Sequence, residues 1–215
     1  MSGGGAPFLV RAPRLLFLAG VGVLAAGIAL HARRGGAPEP FAAGLLTVYL
    51  GWLLAEVPVT FRRAAAAPAD ARTLLPYACA RLLLMASASF GPLPWDGWSP
   101  WLLPPAALFV AGVAVRQVAI RTLGRFYSHH VMRQDGHRVV TRGLYRLVRH
   151  PAYAGMLLAH IGFTCFFLGP ATVVALVLLG AAVTWRIRVE ERTLWDIPGY
   201  PQYAAGRARV LPKVW

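Results

Sequence analysis

The stretch YRLVRHPAYAGMLLAHIGF, residues 145–163, joins a basic run to an apolar segment through a proline. Proline is favoured at the first position of an α-helix, because its missing N–H would be unbonded there in any case. We therefore predict that a helix begins at Pro151. Arg149 and His150 precede it, and the segment that follows is apolar. The stretch predicts a membrane helix whose first turn lies near the membrane surface.

The start of this helix also has features of a binding site. The free N–H groups of a helix N-terminus attract anions, and Arg149 and His150 add donors just outside it. Tyr153 offers a ring and a hydroxyl, and Gly155 lets a ligand or another backbone come close. For each residue alone the alternative is an interfacial anchor at the lipid headgroups. The whole set at this spacing favours a site.

The composition of the chain is that of a membrane protein. Of its 215 residues, 57% are hydrophobic and 14% are charged, and the mean hydropathy is +0.54. This is too apolar for an ordinary soluble domain. Because a spanning helix needs about 20 apolar residues, we predict an all-α integral membrane protein with about six transmembrane helices. The segments are Pro13–His31, Phe41–Val59, Leu74–Leu93, Trp101–Ile120, Pro151–Leu168 and Ala171–Ile187, the last two forming a helical hairpin turned at Gly169-Pro170.

The placement of arginine predicts the orientation, since cytoplasmic loops are enriched in Lys and Arg. The loops at residues 93–100 and 169–170 contain no basic residue, whereas the tail after the sixth segment is strongly basic. Both termini should face the cytoplasm of what we expect to be a bacterial cytoplasmic membrane, although Arg33 and Arg34 would then lie outside. The net charge of +14 fits this positive-inside signal and attraction of anionic lipid, not nucleic-acid binding.

The chemistry is concentrated in the second half of the chain. Residues 1–115 are predicted to be a scaffold of membrane helices that could admit a lipid substrate, and residues 116–215 a catalytic region. Within the scaffold, Arg81 lies well inside a predicted segment, where a charge is costly and is usually paired or functional. Glu56 is the natural partner that the sequence offers for it.

Two adjacent carboxylates, Glu190 and Glu191, follow the sixth predicted segment. The helix dipole opposes carboxylates at a helix C-terminus, so helix stability does not explain them. A cationic ligand group would explain them, and pairing with Arg188 and Arg192 is the alternative. The predicted hairpin returns both glutamates to the membrane face at which Pro151 begins its helix. The resulting cytoplasmic pocket suits a ligand with mixed charges and a flat ring.

The second half of the chain resembles the isoprenylcysteine carboxyl methyltransferase family of integral membrane enzymes. The resemblance runs in order from Leu123 to the end, somewhat under half of the chain, and residues 1–115 match only in being membrane helices. Its elements are Leu123-Gly124-Arg125, Ser128, Gly136-His137-Arg138-Val139-Val140-Thr141-x-Gly143-x-Tyr145, Arg149-His150-Pro151-x-Tyr153-x-Gly155, Gly162, Glu190-Glu191-x-x-Leu194, Tyr200-x-x-Tyr203 and Arg209-Val210-Leu211-Pro212. The loop after Glu191 is shorter than in the eukaryotic enzymes.

The resemblance implies a cytoplasmic site for S-adenosylmethionine and a lipophilic or prenylated acceptor that arrives from the bilayer. Methylation of a carboxylate needs no strong base, so orientation and desolvation could supply most of the rate. The implied catalytic residues are Arg149, Glu191 and Arg209, with the two arginines as candidates to hold the acceptor carboxylate. For Arg209, an anchor to lipid phosphate at the surface is the alternative. The implied cofactor-binding residues are His137, Val139, Val140, His150, Pro151, Tyr153, Gly155, Glu190 and Glu191.

The remaining aromatic and histidine residues of this region suggest structural roles. Tyr200 and Tyr203 are expected to seat the tail at the interface, with stacking on a ligand ring as the alternative. We expect no metal site, because His129, His130 and His137 have no Cys or Glu nearby and form a poor ligand set.

Two other functions are open at this point. Sterol-reductase-like membrane enzymes carry a similar Arg-His-Pro-x-Tyr element but use a nicotinamide cofactor, and their tails would need a pattern different from Glu190-Glu191. The third possibility is a non-catalytic transporter or accessory protein. A transporter should show broken helices and midplane charges in both halves, whereas the first half offers only Arg81 and Glu56.

Overall fold

The computed structural model describes residues 6–60, 71–124, 139–212 and 215, without the side chains of residues 6–11 and 71. No strand occurs within these ranges, and one isolated parallel bridge joins Val148 to Ala208. The prediction of an all-α protein is confirmed. The described α-helices are α1 (Ala6–Arg33), α2 (Pro38–Ala55), α3 (Val57–Thr60), α4 (Ala71–Phe90), α5 (Leu103–Leu123), α6 (Pro151–Phe166), α7 (Pro170–Leu194) and α8 (Tyr200–Ala205), with 3-10 helices at Pro100–Leu102 and Gly143–Arg146.

Four of the described helical stretches are long and apolar enough to cross a membrane. They are Ala12–Arg33, Arg72–Phe90, Pro100–Leu123 and Pro170–Leu194. The other two predicted segments also form helices, α2 with 18 residues and α6 with 16 residues, but these fall outside that group. The class of integral membrane protein is supported, and the count of six spans stays a prediction.

Helices α5 and α6 pack against each other more extensively than any other described pair, along a seam of three glycines. A Cβ atom added at Gly112, Gly155 or Gly162 would lie only 2.2, 2.5 or 2.4 Å from a backbone nitrogen of the facing helix. Small residues allow this kind of close backbone approach between membrane helices. Gly155 therefore meets another backbone, which is one of the two roles that the sequence suggested for it.

The turn between α6 and α7 lies where the sequence placed it. Helix α6 ends at Phe166, and α7 begins at Pro170 directly after Gly169. Their packing is less direct than a simple hairpin implies, because α6 lies mainly against α5 and α7 mainly against α4. Helix α1 packs against both α2 and α4. The pairing of α6 with α7 as a hairpin stays a prediction, although the start of α6 and the end of α7 meet at the site described below.

A buried ion pair ties α2 to the α5–α6 seam. Glu56, next to the end of α2, accepts from Nε of Arg116 at 2.6 Å and from Nη2 at 2.8 Å. Nη1 of Arg116 donates to the carbonyl oxygen of Ala152, in the first turn of α6, at 3.2 Å. The prediction that Arg81 is the partner of Glu56 is wrong, because the planar guanidinium of Arg116 takes both carboxylate oxygens. Arg81 instead donates its Nε to the hydroxyl of Tyr49 at 3.0 Å.

Candidate functional site

Two arginines and a histidine converge on Glu191, which lies in the last turn of α7 and is buried. Arg149 Nη1 lies 2.7 Å from Oε1, and His150 Nε2 lies 3.3 Å from the same oxygen. Arg209 donates its Nε to Oε2 at 2.7 Å. Both carboxylate oxygens of Glu191 are therefore occupied by protein donors. Glu191, a predicted cofactor-binding residue, thus also holds Arg149 and Arg209 in place.

The backbone explains why residues so far apart in sequence meet here. The N–H of Arg149 donates to the carbonyl oxygen of Ala208 at 2.9 Å, and the N–H of His150 donates to that of Arg209 at 2.8 Å. The segment before α6 thus runs parallel to the tail after α8 for a short distance. This pairing places the Arg209 side chain beside that of Arg149, on the side from which Pro151 opens α6.

Glu190 is in a different electrostatic situation from its neighbour. Its Oε2 accepts from the hydroxyl of Tyr153 at 3.0 Å, and the side chain is half-buried. No ion pair joins Glu190 to a cation among the residues that the structure describes, so pairing with Arg188 or Arg192 does not explain it. A carboxylate can accept several hydrogen bonds. Glu190 therefore has acceptor capacity beyond the Tyr153 hydrogen bond, which a cationic group could use.

Among the residues that the structure describes, two buried polar groups beside the glutamates find no hydrogen-bond partner. They are the hydroxyl of Tyr200 and the Nε of Arg149. Burial, followed by the negative charges of Glu191 and Glu190, raises the pKa of the Tyr200 hydroxyl far above its ordinary value. An unsatisfied buried polar group costs about 1–3 kcal/mol. Two such groups in one cluster suit a ligand that brings its own polar atoms to them.

Tyr200 is thus a candidate functional residue, for which the sequence suggested contact with a ligand only as the alternative. We expected it to seat the tail at the interface, whereas it is only 5% exposed and lies next to the carboxylates. Tyr203 does hold the tail, since its hydroxyl donates to the carbonyl oxygen of Tyr145 at 2.9 Å. Burial raises the pKa of Tyr203 to about 12. The two tyrosines lie three residues apart on the same short helix, so the sequence pattern did not show that only Tyr203 holds the tail.

Arg186 is a second residue that the sequence reasoning did not select. It is buried in α7, one turn before Glu190, and its Nε donates to the hydroxyl of Tyr153 at 3.4 Å. Its guanidinium also lies over the ring of Tyr77, 5.5 Å from the centroid. Arg186 therefore links the site to α4. A basic residue near the end of a membrane helix usually indicates orientation, which is why its position alone did not indicate a contact with the site.

Two other predicted cofactor residues, Val139 and Val140, pack in two different apolar clusters. Val140 packs beside the small apolar cluster of α5 and α6 that contains Ala152, and Val139 packs against the cluster that contains Tyr200. His137 lies outside the described residues. Among the residues that the structure describes, no group of three or more His, Cys, Asp or Glu side chains could hold a metal ion.

The family comparison covers the helices that build this cluster. Residues 105–196 match the model of the isoprenylcysteine carboxyl methyltransferase family. The match confirms, over this region, the family resemblance predicted from the sequence. It includes the glycine seam, the start of α6 and both glutamates, and it ends before Tyr200 and Arg209.

Curated relatives carry the same family name. A probable protein-S-isoprenylcysteine O-methyltransferase of Oryza sativa subsp. indica is 35% identical over 102 residues, which are 45% of this chain and 53% of the rice protein. Protein-S-isoprenylcysteine O-methyltransferase A of Arabidopsis thaliana is 34% identical over 116 residues, 50% of this chain and 57% of that protein. Protein-S-isoprenylcysteine O-methyltransferase of Saccharomyces cerevisiae is 34% identical over 90 residues, 40% of this chain and 38% of that protein. The chain spans about half the length of the curated relatives first named here.

Proposed function

We propose that this protein transfers a methyl group from S-adenosylmethionine to the carboxylate of a lipophilic acceptor, with a prenylated cysteine as the first candidate. The observation that carries the proposal is Glu190, a carboxylate without an ion pair among the described residues, beside the partnerless Arg149 Nε and Tyr200 hydroxyl. The amino-acid end of S-adenosylmethionine, with one ammonium and one carboxylate, matches these groups. The family match and the names of the relatives support the same reaction.

The residues of the cluster would hold S-adenosylmethionine by complementary charge. Glu190 would accept from its ammonium group, and the free Nε of Arg149 would donate to its carboxylate. His150 and Pro151 lie at the start of α6, where free backbone N–H groups favour negative charge. The apolar side chains of Val139 and Val140 would lie against the adenine. The bound cofactor would supply an electrophilic methyl carbon, which an acceptor carboxylate oxygen takes as the carbon–sulfur bond breaks.

The acceptor carboxylate requires a cation that can be reached from outside the cluster. The Arg209 side chain is 32% exposed, whereas that of Arg149 is 11% exposed, and Glu191 fixes both. Arg209 would therefore hold the acceptor at the rim while Arg149 remains with the cofactor. No proton moves when a carboxylate is methylated, so the chain's contribution is orientation and exclusion of water.

The membrane arrangement that we propose has six spans, with both termini and the site on the cytoplasmic side. The starts of α4 and α6 and the ends of α5 and α7 would then share that side, together with most of the arginines. Anionic headgroups would be attracted to this face. The lipophilic acceptor would arrive from the bilayer.

The test is methyl transfer by the purified full chain in phospholipid vesicles. Radiolabelled S-adenosylmethionine should label N-acetyl-S-farnesylcysteine as a base-labile methyl ester, and N-acetylcysteine should remain unlabelled. Glu190→Gln should abolish most of the labelling. The matched control is Asp196→Asn, which removes one exposed carboxylate near the same helix end and should leave the rate unchanged. An absence of labelled product, or equal rates for the two variants, would contradict the proposal.

A further inference from the structure

The guanidinium of Arg209 is only partly used by its contact with Glu191. Its Nε donates to Oε2 of that carboxylate at 2.7 Å. Within the described part of the chain, Nη1 and Nη2 of Arg209 form no hydrogen bond with another residue. The side chain is 32% exposed, so a ligand can reach it. The Nη1 and Nη2 groups form a fork of two N–H donors, which matches the two oxygens of a carboxylate.

The ring of Trp215 covers one face of the same guanidinium. Cζ of Arg209 lies 5.3 Å from the centroid of the ring, and a cation within about 6 Å of an indole centroid is attracted by the negative face of the ring. Arg209 is therefore held at its Nε by a carboxylate and on its face by an aromatic ring. Neither contact uses the Nη1–Nη2 fork.

Trp215 is itself fixed by the tail and by the helix bundle. Its carbonyl oxygen accepts from the N–H groups of Val210 and Leu211 at 2.9 and 3.1 Å, and its own N–H donates to the carbonyl oxygen of Leu211 at 3.3 Å. Its side chain is half-buried and packs against the main apolar core. Because both its backbone and its side chain have partners, Trp215 forms a firm support beside Arg209.

We propose that Trp215 is a positioning residue, which holds the guanidinium of Arg209 so that its Nη1–Nη2 fork is preorganised for the acceptor carboxylate. Preorganised donors bind more tightly because less side-chain freedom is lost on binding. The inference rests on the proposed function, in which Arg209 holds the acceptor. It adds a residue that lies beyond the region matched by the family, residues 105–196. A residue that only anchored the tail would affect acceptors with and without a carboxylate alike.

The experiment measures binding of N-acetyl-S-farnesylcysteine and of its methyl ester to the detergent-purified full chain by isothermal titration calorimetry. The two ligands share the lipid chain and differ in the free carboxylate, so the wild type should bind the acid more tightly. Trp215→Leu should weaken binding of the acid about fivefold, the factor that corresponds to a cation–π contact of about 1 kcal/mol. Its affinity for the ester should be unchanged. Trp215→Phe keeps an aromatic face and should recover most of the affinity for the acid.

A matched control and a double variant separate positioning from a purely structural role. Trp101→Leu makes the same change at an exposed tryptophan just before α5, and it should bind both ligands like the wild type. In an Arg209→Gln protein, Trp215→Leu should cause no further loss of affinity for the acid, because the ring then has no guanidinium to hold.

Three results would overturn the inference: a wild type that does not prefer the acid, an equal loss for acid and ester in Trp215→Leu, or additive losses in the double variant. Preference for the acid that depends on Trp215, without methyl transfer in the vesicle assay, would refute the proposed reaction and leave the role of Trp215 standing.

Discussion

Replacement of Gly112 by alanine is the most direct perturbation of the α5–α6 seam. A Cβ atom there would lie 2.2 Å from the backbone nitrogen of Ala159, whereas ordinary contact begins at 3.4 Å, so the helices must separate by about 1.2 Å. Backbone atoms cannot rotate away, so the cost should approach the upper end of overpacking, about 3 kcal/mol. Alanine favours helix over glycine by about 1 kcal/mol, which leaves a net loss of about 2 kcal/mol.

The assay is thermal unfolding of the detergent-purified protein, followed by circular dichroism. For a chain of this size, about 2 kcal/mol corresponds to a fall in Tm of about 4–8 °C. Gly44→Ala is the matched control, because a Cβ at Gly44 meets no heavy atom within 4 Å. That variant should melt at the wild-type temperature or slightly above it. A Gly112→Ala protein that melts like the Gly44→Ala protein would refute the close approach of α5 and α6.

Three further predictions concern the charged and phenolic groups. Glu191→Gln removes the carboxylate that fixes Arg209, and we expect the affinity for S-adenosylmethionine, measured by calorimetry, to fall about tenfold or more. Glu56→Gln leaves Arg116 buried without its ion pair, which costs about 3–5 kcal/mol, and a double variant with Arg116→Met should recover part of the lost Tm. Burial raises the pKa of Tyr203 from 10.0 to about 12, so its contribution to stability is complete below pH 10 and is lost as the pH rises to 12. Tyr203→Phe should reduce this loss in melting curves measured across that pH range.

Each of these predictions has an outcome that would contradict it. Unchanged cofactor affinity in Glu191→Gln would remove that residue from the site. A double variant less stable than Glu56→Gln alone would show that Arg116 has other essential contacts. An identical loss of Tm above pH 10 in wild type and Tyr203→Phe would show that Tyr203 does not cause it.

Local patterns in the sequence predicted the helices well. Pro151 does begin α6, and Gly169-Pro170 does separate α6 from α7, because proline and glycine act on the backbone of their own segment. The second predicted segment was less accurate. Helix α2 ends at Ala55, just before Glu56, and the short α3 follows. The predicted end at Val59 extended the helix past this interruption.

Long-range partners could not be read from local patterns. Glu56 pairs with Arg116, 60 residues away, because the glycine seam brings α5 against α6 and Arg116 then reaches both helices. The sequence predicted that Glu191 returns to the start of α6, and the structure does bring Glu191 against Arg149 and His150; their roles in a site stay predictions. The role of Arg209 as a second donor to Glu191 depends on backbone hydrogen bonds between the tail and the segment before α6. Nothing in the composition of the tail predicts those bonds.

The central claim is that the cluster around Glu190 and Glu191 holds S-adenosylmethionine. Calorimetric titration of S-adenosylmethionine and, separately, of NADPH into the detergent-purified full chain tests it most directly. We predict saturable binding of S-adenosylmethionine that is strongly weakened in Glu190→Gln, and no saturable binding of NADPH. Saturable binding of NADPH alone would contradict the account and would favour a nicotinamide-dependent enzyme.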